Sequence, residues 1–401
     1  MEDLFYQLVN QLIDMNEVSY TNVFVGGTKI EANANKYSFV WAKAVEKNLK
    51  KLEAKMEILT RQTAVRYCLK EEISFEELLG ALMQLASLQN ISFVYGKRKR
   101  KTQLQRDIDL LVSMGDKRHK YLESLAIAGK RKSYSKPDTD ATFMRMKEDY
   151  MNNGQLKPGY NVQIAVESES IVGVGLFNNP TDTTTLIPFM ERIQSNSKRQ
   201  IKNLIANAEY ASEENFTYLE QNRQNAYIKS QNYEISKTRK YKSDKYRPEH
   251  MEYDSKADEY ICPNNKKLKY IYTSKYTTDN GYVTNRKVYQ CESCEGCPHR
   301  SECHISKYDR RIRISHKLNE QNRKAHELIT TEQGILLRMN RSVQVEGAFG
   351  VIKQDFRFRR FLTIGKARTE TQFFLIAFVY NVENSATESI STVSDTLYLK
   401  K

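Results

Sequence analysis

Cysteines are the first residues whose spacing predicts a chemistry. Four of them form the pattern Cys291-x2-Cys294-x2-Cys297-x5-Cys303, and Cys262 lies upstream. Thiolates at such spacing hold structural zinc, and this crowding in an intracellular chain favours a metal over disulfides. The alternative is a set of reduced thiols, which would have to explain four cysteines in a polar, lysine-rich segment. We therefore predict a structural Zn²⁺ bound by Cys262, Cys291, Cys294 and either Cys297 or Cys303.

A carboxylate and a cation lie at helical spacing nearer the C-terminus. Glu346 and Lys353 are seven residues apart, so a helix would hold them on one face. An apolar stripe lies beside that face and consists of Val345, Phe349, Ile352 and Phe356. On spacing alone, an ordinary exposed pair on an amphipathic helix is the better interpretation.

Basic residues provide candidate contacts to a polyanion. The chain has 63 Lys and Arg against 49 Asp and Glu, a formal net charge of +14, which favours nucleic acid as a partner. The candidate DNA-binding residues are Lys97, Arg98, Lys99, Arg100, Lys101, Arg310, Arg311 and Arg313. A solvated surface is the competing interpretation of each basic group.

The composition predicts a globular chain that can position these residues. With 401 residues, 40% of them hydrophobic, the chain can bury the cores of two to three domains. It has no run of about 20 apolar residues and no signal-peptide pattern at its start. We therefore expect a cytoplasmic protein without a membrane-spanning segment.

The order of predicted elements is strand, long helical segment, two strands, helix, strand and helix. The predicted strands are Val23–Val25, Tyr160–Val166, Ile171–Phe177 and Leu204–Ala206, and the middle two are expected to form a hairpin joined by a short polar turn. A Tyr- and Lys-rich region with the cysteines follows, and then helical patterns over Asn319–Phe356 and Phe373–Tyr380. The last pattern is too short to cross a bilayer and predicts a buried closing helix.

Five segments, in this order, resemble one group of bacterial insertion-sequence transposases of the DDE type. They are Phe24–Tyr37, Asp140–Lys147, Lys157–Gln163, Ala206–Tyr210 and Val345–Gly350, and together they extend over nearly the whole chain. The resemblance implies an α/β, ribonuclease H-like fold, with a helical insertion and a small cysteine-rich zinc module. It also implies DNA as partner, at transposon ends and target, and work as a homodimer or larger transposition complex.

The resemblance further implies a catalytic set of two Asp and one Glu that binds two divalent cations, Mg²⁺ or Mn²⁺. The matching positions in this chain are Gly26, Asn207 and Glu346, with Lys353 in a supporting role. Paired metals need hard, anionic oxygen ligands to activate the attacking group and neutralise the leaving oxygen. Gly26 supplies no side chain and Asn207 only a neutral oxygen, so we predict impaired or absent catalysis. Compensation by Glu209 or Glu31 is the less favoured alternative.

The predicted domains follow from these segments. They are 1–36, an N-terminal helix and first core strand; 37–135, the helical insertion; 136–227, the ribonuclease H-like core; 228–310, the zinc-binding insertion; 311–385, the rest of the core with the Glu346 helix; and 386–401, a flexible tail. The first strand lies close to the start of the chain, whereas members of the family carry a longer helical region there. The sequence thus predicts an N-terminally truncated copy.

Three functional hypotheses are compatible with these patterns. The first is a DDE transposase with an impaired active site. The second is a non-catalytic DNA-binding repressor of transposition, and the third is the product of a decayed mobile element. Activity of the unmodified chain in a strand-transfer assay would separate the first from the others.

Overall fold

Two compact units make up the protein. A computed structural model describes residues 1–70, 72–96, 98–146 and 154–398. Unit one comprises Met1–Ile30, Tyr160–Phe361 and Ala367–Lys401, and unit two comprises Glu31–Gly159 and Leu362–Lys366. Each unit contains a hydrophobic core of its own.

Regular structure occupies most of the described residues. The strands are β1 (Asn22–Glu31), β2 (Phe39–Trp41), β3 (Ser133–Ser135), β4 (Thr142–Arg145), β5 (Leu156–Glu167), β6 (Ser170–Phe177), β7 (Asn203–Ala206), β8 (Asn225–Ile228), β9 (Glu252–Asp254), β10 (Glu259–Ile261), β11 (Lys267–Thr277), β12 (Val283–Cys291) and β13 (Arg311–Ile314). The α-helices are α1 (Glu2–Asp14), α2 (Ala42–Arg66), α3 (Phe75–Leu88), α4 (Gln103–Ala128), α5 (Leu186–Asn196), α6 (Glu213–Gln221), α7 (Arg239–Ser243), α8 (Arg300–Cys303), α9 (His316–Thr330), α10 (Glu332–Arg341), α11 (Gly347–Gly350) and α12 (Lys366–Tyr398). Two π-helical segments, Ser342–Glu346 and Val351–Asp355, flank α11.

The main sheet of unit one has the strand order β6-β5-β1-β7-β8. Strands β5 and β6 are antiparallel, and β7 is parallel to both β1 and β8. Ser168 and Glu169 join β5 to β6 with φ angles of 49° and 60°. A two-residue turn with two left-handed residues matches the twist of a hairpin, so the predicted hairpin is confirmed.

Helices of unit one pack their apolar residues inward. Phe5 and Val9 of α1 are fully buried, as the spacing of its apolar residues predicts. Phe373 and Ala377 of α12 are also fully buried, which confirms the predicted closing helix. The backbone of α12 continues as far as Tyr398, into the predicted tail, where no Gly or Pro interrupts it. Among the described residues, no helix is long and apolar enough to span a membrane.

The cysteine-rich region of unit one forms a second, antiparallel sheet. Its strand order is β13-β12-β11-β10-β9. Tyr260, Leu268, Tyr289, Cys291 and Ile312 form the core against one face of this sheet. The sequence predicts a separate module here but not its strands, because exposed Tyr and Lys residues hide the alternation that marks a half-buried strand.

Unit two holds the long helices of the predicted helical insertion. Helices α2, α3 and α4 enclose a core that includes Ala64, Leu78, Leu82 and Ile108. Helix α3 begins with a capping box, in which Ser74 and Glu77 each accept a hydrogen bond from the other's backbone N–H. The short strands β2 and β3 pair beside these helices, and β4 pairs with the first four residues of β5.

Candidate active site

Gly26 lies in the middle of β1, and Asn207 directly follows β7, the parallel neighbour of β1. The register pairs Asn22 with Asn203 and Phe24 with Ile205. The pairing ends there, and Gly26 and Asn207 each lie two residues beyond this last pair, on adjacent stretches of chain. The carboxyl ends of parallel strands are where side chains of an α/β sheet meet a ligand. The two positions predicted from the sequence are thus neighbours.

Asn207 has a structural task at this position. It lies just after β7 and precedes the 3₁₀ turn Ala208–Tyr210. Its Oδ1 accepts a hydrogen bond from the backbone N–H of Glu209 at 2.9 Å. An Asp would cap this turn equally well, because only the acceptor oxygen is used. The fold therefore accepts Asn at a position where the family resemblance implies an Asp.

The segment that carries Glu346 packs directly against Gly26. A Cβ atom on Gly26 would lie 2.6 Å from Cγ1 of Val345 and 3.4 Å from Nη1 of Arg341. Gly26 is not among the residues with positive φ, so its backbone conformation would accept a side chain. Only the packing of Val345 against Gly26 leaves little room for a side chain at this position. The structure thereby brings Gly26, Asn207 and the Glu346 segment together.

Glu346 forms an ion pair rather than standing free. Its Oε1 accepts from Nη2 of Arg341 at 3.1 Å, and its Oε2 accepts from the Ser342 hydroxyl at 2.9 Å. The Glu346 side chain is 64% exposed, whereas that of Arg341 is only 18% exposed. The carboxylate therefore faces solvent, while the guanidinium group is inserted beside Gly26.

Lys353 follows Glu346 on the same stretch of chain. It lies in the second π-helical segment, Val351–Asp355, and is partly buried. Glu346 ends the first π-helical segment, and α11 separates it from Lys353. Of the predicted apolar stripe, Val345, Phe349 and Ile352 are buried, whereas Phe356 is only half-buried.

The residues of this site do not fit a pair of divalent cations. Paired metals require several carboxylates, and the three positions supply one, which already pairs with Arg341. Among the described residues, no group of three or more His, Cys, Asp or Glu side chains is arranged to hold a metal ion. A metal would also have to compete with the positive charge of the Arg341 guanidinium.

Two other carboxylates are near this strand in sequence. Glu31, five residues beyond Gly26 on β1, forms an ion pair with Lys157 within unit two. Its odd-numbered spacing from Gly26 directs it to the other side of the strand. Glu209 is exposed, and its backbone carbonyl accepts from the Thr183 hydroxyl at 2.8 Å. Neither observation puts a second carboxylate beside Glu346.

A buried polar network on the other face of β1 was missed from the sequence. Gly27 faces it, because a Cβ there would lie 2.9 Å from Cδ of Gln163 and 3.0 Å from Oδ1 of Asp182. Asp182 is 5% exposed, and its Oδ1 accepts from Asn161 at 2.7 Å and from Gln163 at 2.9 Å. The hydroxyl of Tyr210 donates to Gln163, and burial raises the pKa of Tyr210 well above its usual value. The available signal was polar Asn161 and Gln163 at alternate positions of a buried strand.

Three of the cysteines lie in or beside one core. Cys291 and Cys294 are buried in the core of the cysteine-rich sheet, and Cys262 packs against it. Burial raises the pKa of the Cys291 thiol to about 12. The backbone N–H of Arg310 donates to Sγ of Cys294 at 3.3 Å. All six cysteines are free thiols.

The other two cysteines of the cluster, Cys297 and Cys303, are only partly buried. Nη1 of Arg310 donates to Sγ of Cys303 at 2.6 Å, and its Nη2 donates to the carbonyl of Tyr246. Within the described structure, both ring nitrogens of His304 are buried without a hydrogen-bond partner. Arg310, predicted to contact DNA, is therefore directed into the cysteine module.

The remaining basic candidates differ in their surroundings. Lys97 lies outside the described residues. Arg98, Lys99 and Arg100 are exposed in unit two, whereas Lys101 pairs with Asp109 at 2.6 Å. In unit one, Arg311 and Arg313 are exposed on the edge strand β13.

The C-terminal part of the chain matches a known protein family. Residues 261–385 match a family model described as a transposase DDE domain. The matched part contains Cys262, Arg341 and Glu346, but it does not reach back to Gly26 and Asn207. No curated protein and no solved structure matches the chain. The family match supports a DDE-type transposase.

Proposed function

We propose that this protein is a bacterial insertion-sequence transposase by descent, which binds DNA in the cytoplasm but has lost most or all of its strand-transfer activity. The matched transposase DDE domain supports the class of protein. The strand order β6-β5-β1-β7-β8 agrees with the ribonuclease H-like fold that the resemblance implies. Action as a dimer or larger complex on DNA is part of the proposal.

The observation that carries the proposal is the packing around Gly26. Gly26 and Asn207 each lie two residues beyond the last pair of the parallel strands β1 and β7, and Val345, next to Glu346, packs against Gly26. This is the arrangement in which a family member would place its three carboxylates. Changing only groups behind metal ligands typically costs about 10- to 100-fold in affinity or activity, so loss of two ligands should cost more.

The test is a cleavage and strand-transfer assay with Mg²⁺ or Mn²⁺ on DNA that carries the transposon ends. The unmodified protein is compared with the double variant Gly26→Asp/Asn207→Asp. We expect no product from the former and product from the latter. Strand transfer by the unmodified protein would contradict the proposal.

The double variant needs a companion because of Val345. A side chain at position 26 collides with Cγ1 of Val345, a buried branched side chain that has little freedom to move. The triple variant with Val345→Ala removes the colliding atom. Val345→Ala alone is the control, and it should remain inactive. Activity in the triple but not in the double variant would assign the block to packing.

A repressor that occupies transposon ends is the second candidate. It is favoured by the Arg341 guanidinium, which lies 3.4 Å from where a Cβ of residue 26 would be and supplies a positive charge without a metal. Binding to DNA ends should then be equal with and without added Mg²⁺. Loss of binding when Mg²⁺ is omitted would count against this candidate.

For the cysteine module we propose a structural zinc ion. Thiolates are the soft ligands that zinc prefers, and Cys262, Cys291 and Cys294 already belong to one core. Cys297 or Cys303 would complete the tetrahedral set. Since no group of three or more possible ligands among the described residues is arranged to hold a metal ion, zinc binding would have to bring the thiols closer together.

Zinc content measured on the purified protein tests this part. We expect about one Zn²⁺ per chain, lost in Cys291→Ser and retained in Cys68→Ser, because Cys68 is an exposed thiol outside the module. Equal zinc content in both variants, or none in the unmodified protein, would contradict the zinc proposal.

A further inference from the structure

Helix α2 in unit two faces an open groove of about 1110 Å³, which we name the α2 groove. Residues 72–76, which lead into α3, and Arg118 of α4 belong to its lining. Most of the lining comes from one face of α2, at the three- and four-residue spacing of a helix: Glu53, Met56, Glu57, Thr60, Arg61 and Val65. This face extends over about 18 Å, the length of a helix of about 12 residues.

The α2 groove contains apolar side chains that a partner can cover. Val65 is 60% exposed, and Ile73 and Phe75 are half-buried. Charged residues of α2 lie in the same lining, so the apolar part of the groove has charged neighbours. An apolar strip with charged neighbours is the receiving surface in helix-in-groove recognition, where an amphipathic helix supplies the other half.

Thr60, in the lining, has a buried hydroxyl group without a partner. The residue is only 6% exposed, and its Oγ1 forms no hydrogen bond within the described part of the chain. A threonine inside a helix can donate to the carbonyl four residues earlier, and Thr60 does not. Rotation about its Cα–Cβ bond would turn the hydroxyl towards the groove, where a bound chain can pair with it. An unpaired buried hydroxyl is costly, so this site lacks a ligand group.

Carboxylates outnumber cations in the α2 groove. Its charged residues are Glu53, Glu57, Glu72, Glu76, Arg61 and Arg118. Arg118 is shared by Glu76 at 3.0 Å and Glu53 at 3.9 Å, and Glu72 forms no ion pair among the described residues. The groove is therefore negative on a chain whose formal net charge is +14. Such a groove repels the phosphates of DNA and attracts a cationic polypeptide.

We propose that the α2 groove binds an amphipathic helix of a partner protein, one with lysines or arginines beside its apolar stripe. In this arrangement the stripe packs on Val65, Ile73 and Phe75, and the cations approach Glu57 and Glu72. The partner helix lies along α2 and adds a fourth helix to α2, α3 and α4, a common way for helices to share a core. The inference does not depend on DNA binding or on strand transfer.

Fluorescence anisotropy with the full chain and a labelled, end-blocked peptide tests the inference. The peptide consists of leucines at helical spacing with lysines beside them. A scrambled peptide of the same composition has the same charge but no apolar stripe. We expect the first peptide to bind and the scrambled peptide to bind much more weakly. The positive net charge of the chain disfavours non-specific binding of both peptides.

Two matched double variants locate the binding. Glu57→Gln/Glu72→Gln removes two carboxylates from the α2 groove and leaves both partners of Arg118 in place. It should weaken peptide binding by about 3- to 10-fold, the effect of two exposed ion pairs. Glu46→Gln/Glu123→Gln changes two exposed glutamates of α2 and α4 outside the groove, and its affinity should equal that of the unmodified protein.

Three outcomes would overturn the inference. They are no peptide binding by the unmodified chain, unchanged affinity in Glu57→Gln/Glu72→Gln, and an equal loss in both double variants. Sedimentation velocity adds a further check on the occupant. Self-association that Glu57→Gln/Glu72→Gln abolishes would mean that a second copy of this chain fills the groove, and it would also overturn the inference. A melting curve for each variant identifies any loss that comes from unfolding.

Discussion

The two faces of β1, one at Gly26 and the other at Gly27, differ in the side chains that surround them. On the Gly27 face, Asp182, Gln163 and Tyr210 form a buried network in which the carboxylate has two amide donors. On the Gly26 face, a solvent-exposed Glu346 pairs with Arg341, and the proposed function would require two more acids there. One face stabilises the fold, and under the proposed function the other once served the reaction. A chain can lose the catalytic carboxylates and still keep the fold, because an exposed carboxylate contributes little to folding.

The largest effect should come from rebuilding the Gly26 face. Gly26→Asp/Asn207→Asp/Val345→Ala should raise strand transfer at least about 100-fold above background, since two metal ligands return. Adding Glu346→Gln should bring the product back to background. If the triple variant kept its activity after Glu346→Gln was added, Glu346 would have no role in catalysis.

The next effect concerns the stability of the Gly27 face. Asp182→Ala should lower the free energy of unfolding by about 2–3 kcal/mol, because it leaves the amides of Asn161 and Gln163 buried without their acceptor. Asp182→Asn keeps an acceptor oxygen of the same shape and should cost less. Urea denaturation followed by circular dichroism measures both, and equal costs would argue that the charge, not the acceptor, matters.

A smaller loss is expected for Tyr210→Phe. This variant removes the hydroxyl that donates to Gln163 and keeps the fully buried ring. The unfolding free energy should fall by about 1 kcal/mol, the usual net value of one hydrogen bond. Tyr218→Phe, a partly exposed tyrosine on α6, is the control and should be near neutral.

The smallest effect is predicted for Glu346→Ala in the unmodified background. The Glu346 side chain is 64% exposed, so losing its pair with Arg341 should change stability by no more than about 0.5 kcal/mol. The measurement is the same urea denaturation. If Glu346→Ala lowered the free energy of unfolding as much as Asp182→Ala does, the two faces of β1 would not differ in their contribution to stability.

Much of unit one follows from local sequence patterns. Apolar runs at Val23–Val25 and Leu204–Ala206 predict strands that β1 and β7 contain, and the predicted hairpin of β5 and β6 is present. No comparable signal marks β9 to β13, because exposed tyrosines and lysines mask the alternation there. The basic candidates look alike in the sequence, yet Arg310 is bonded to Cys303 and Tyr246, whereas Arg311 and Arg313 are exposed.

The sequence by itself determined which side chains exist at the decisive positions. It established that residues 26 and 207 carry no acid and that the cysteines are spaced for a metal, because residue identity and local spacing are written in the chain. Only the tertiary structure decided that Arg341 and Val345 face Gly26 and that Asp182 lies behind Gly27. These contacts join residues far apart in the chain, and they depend on strand register and helix packing, which local patterns do not specify.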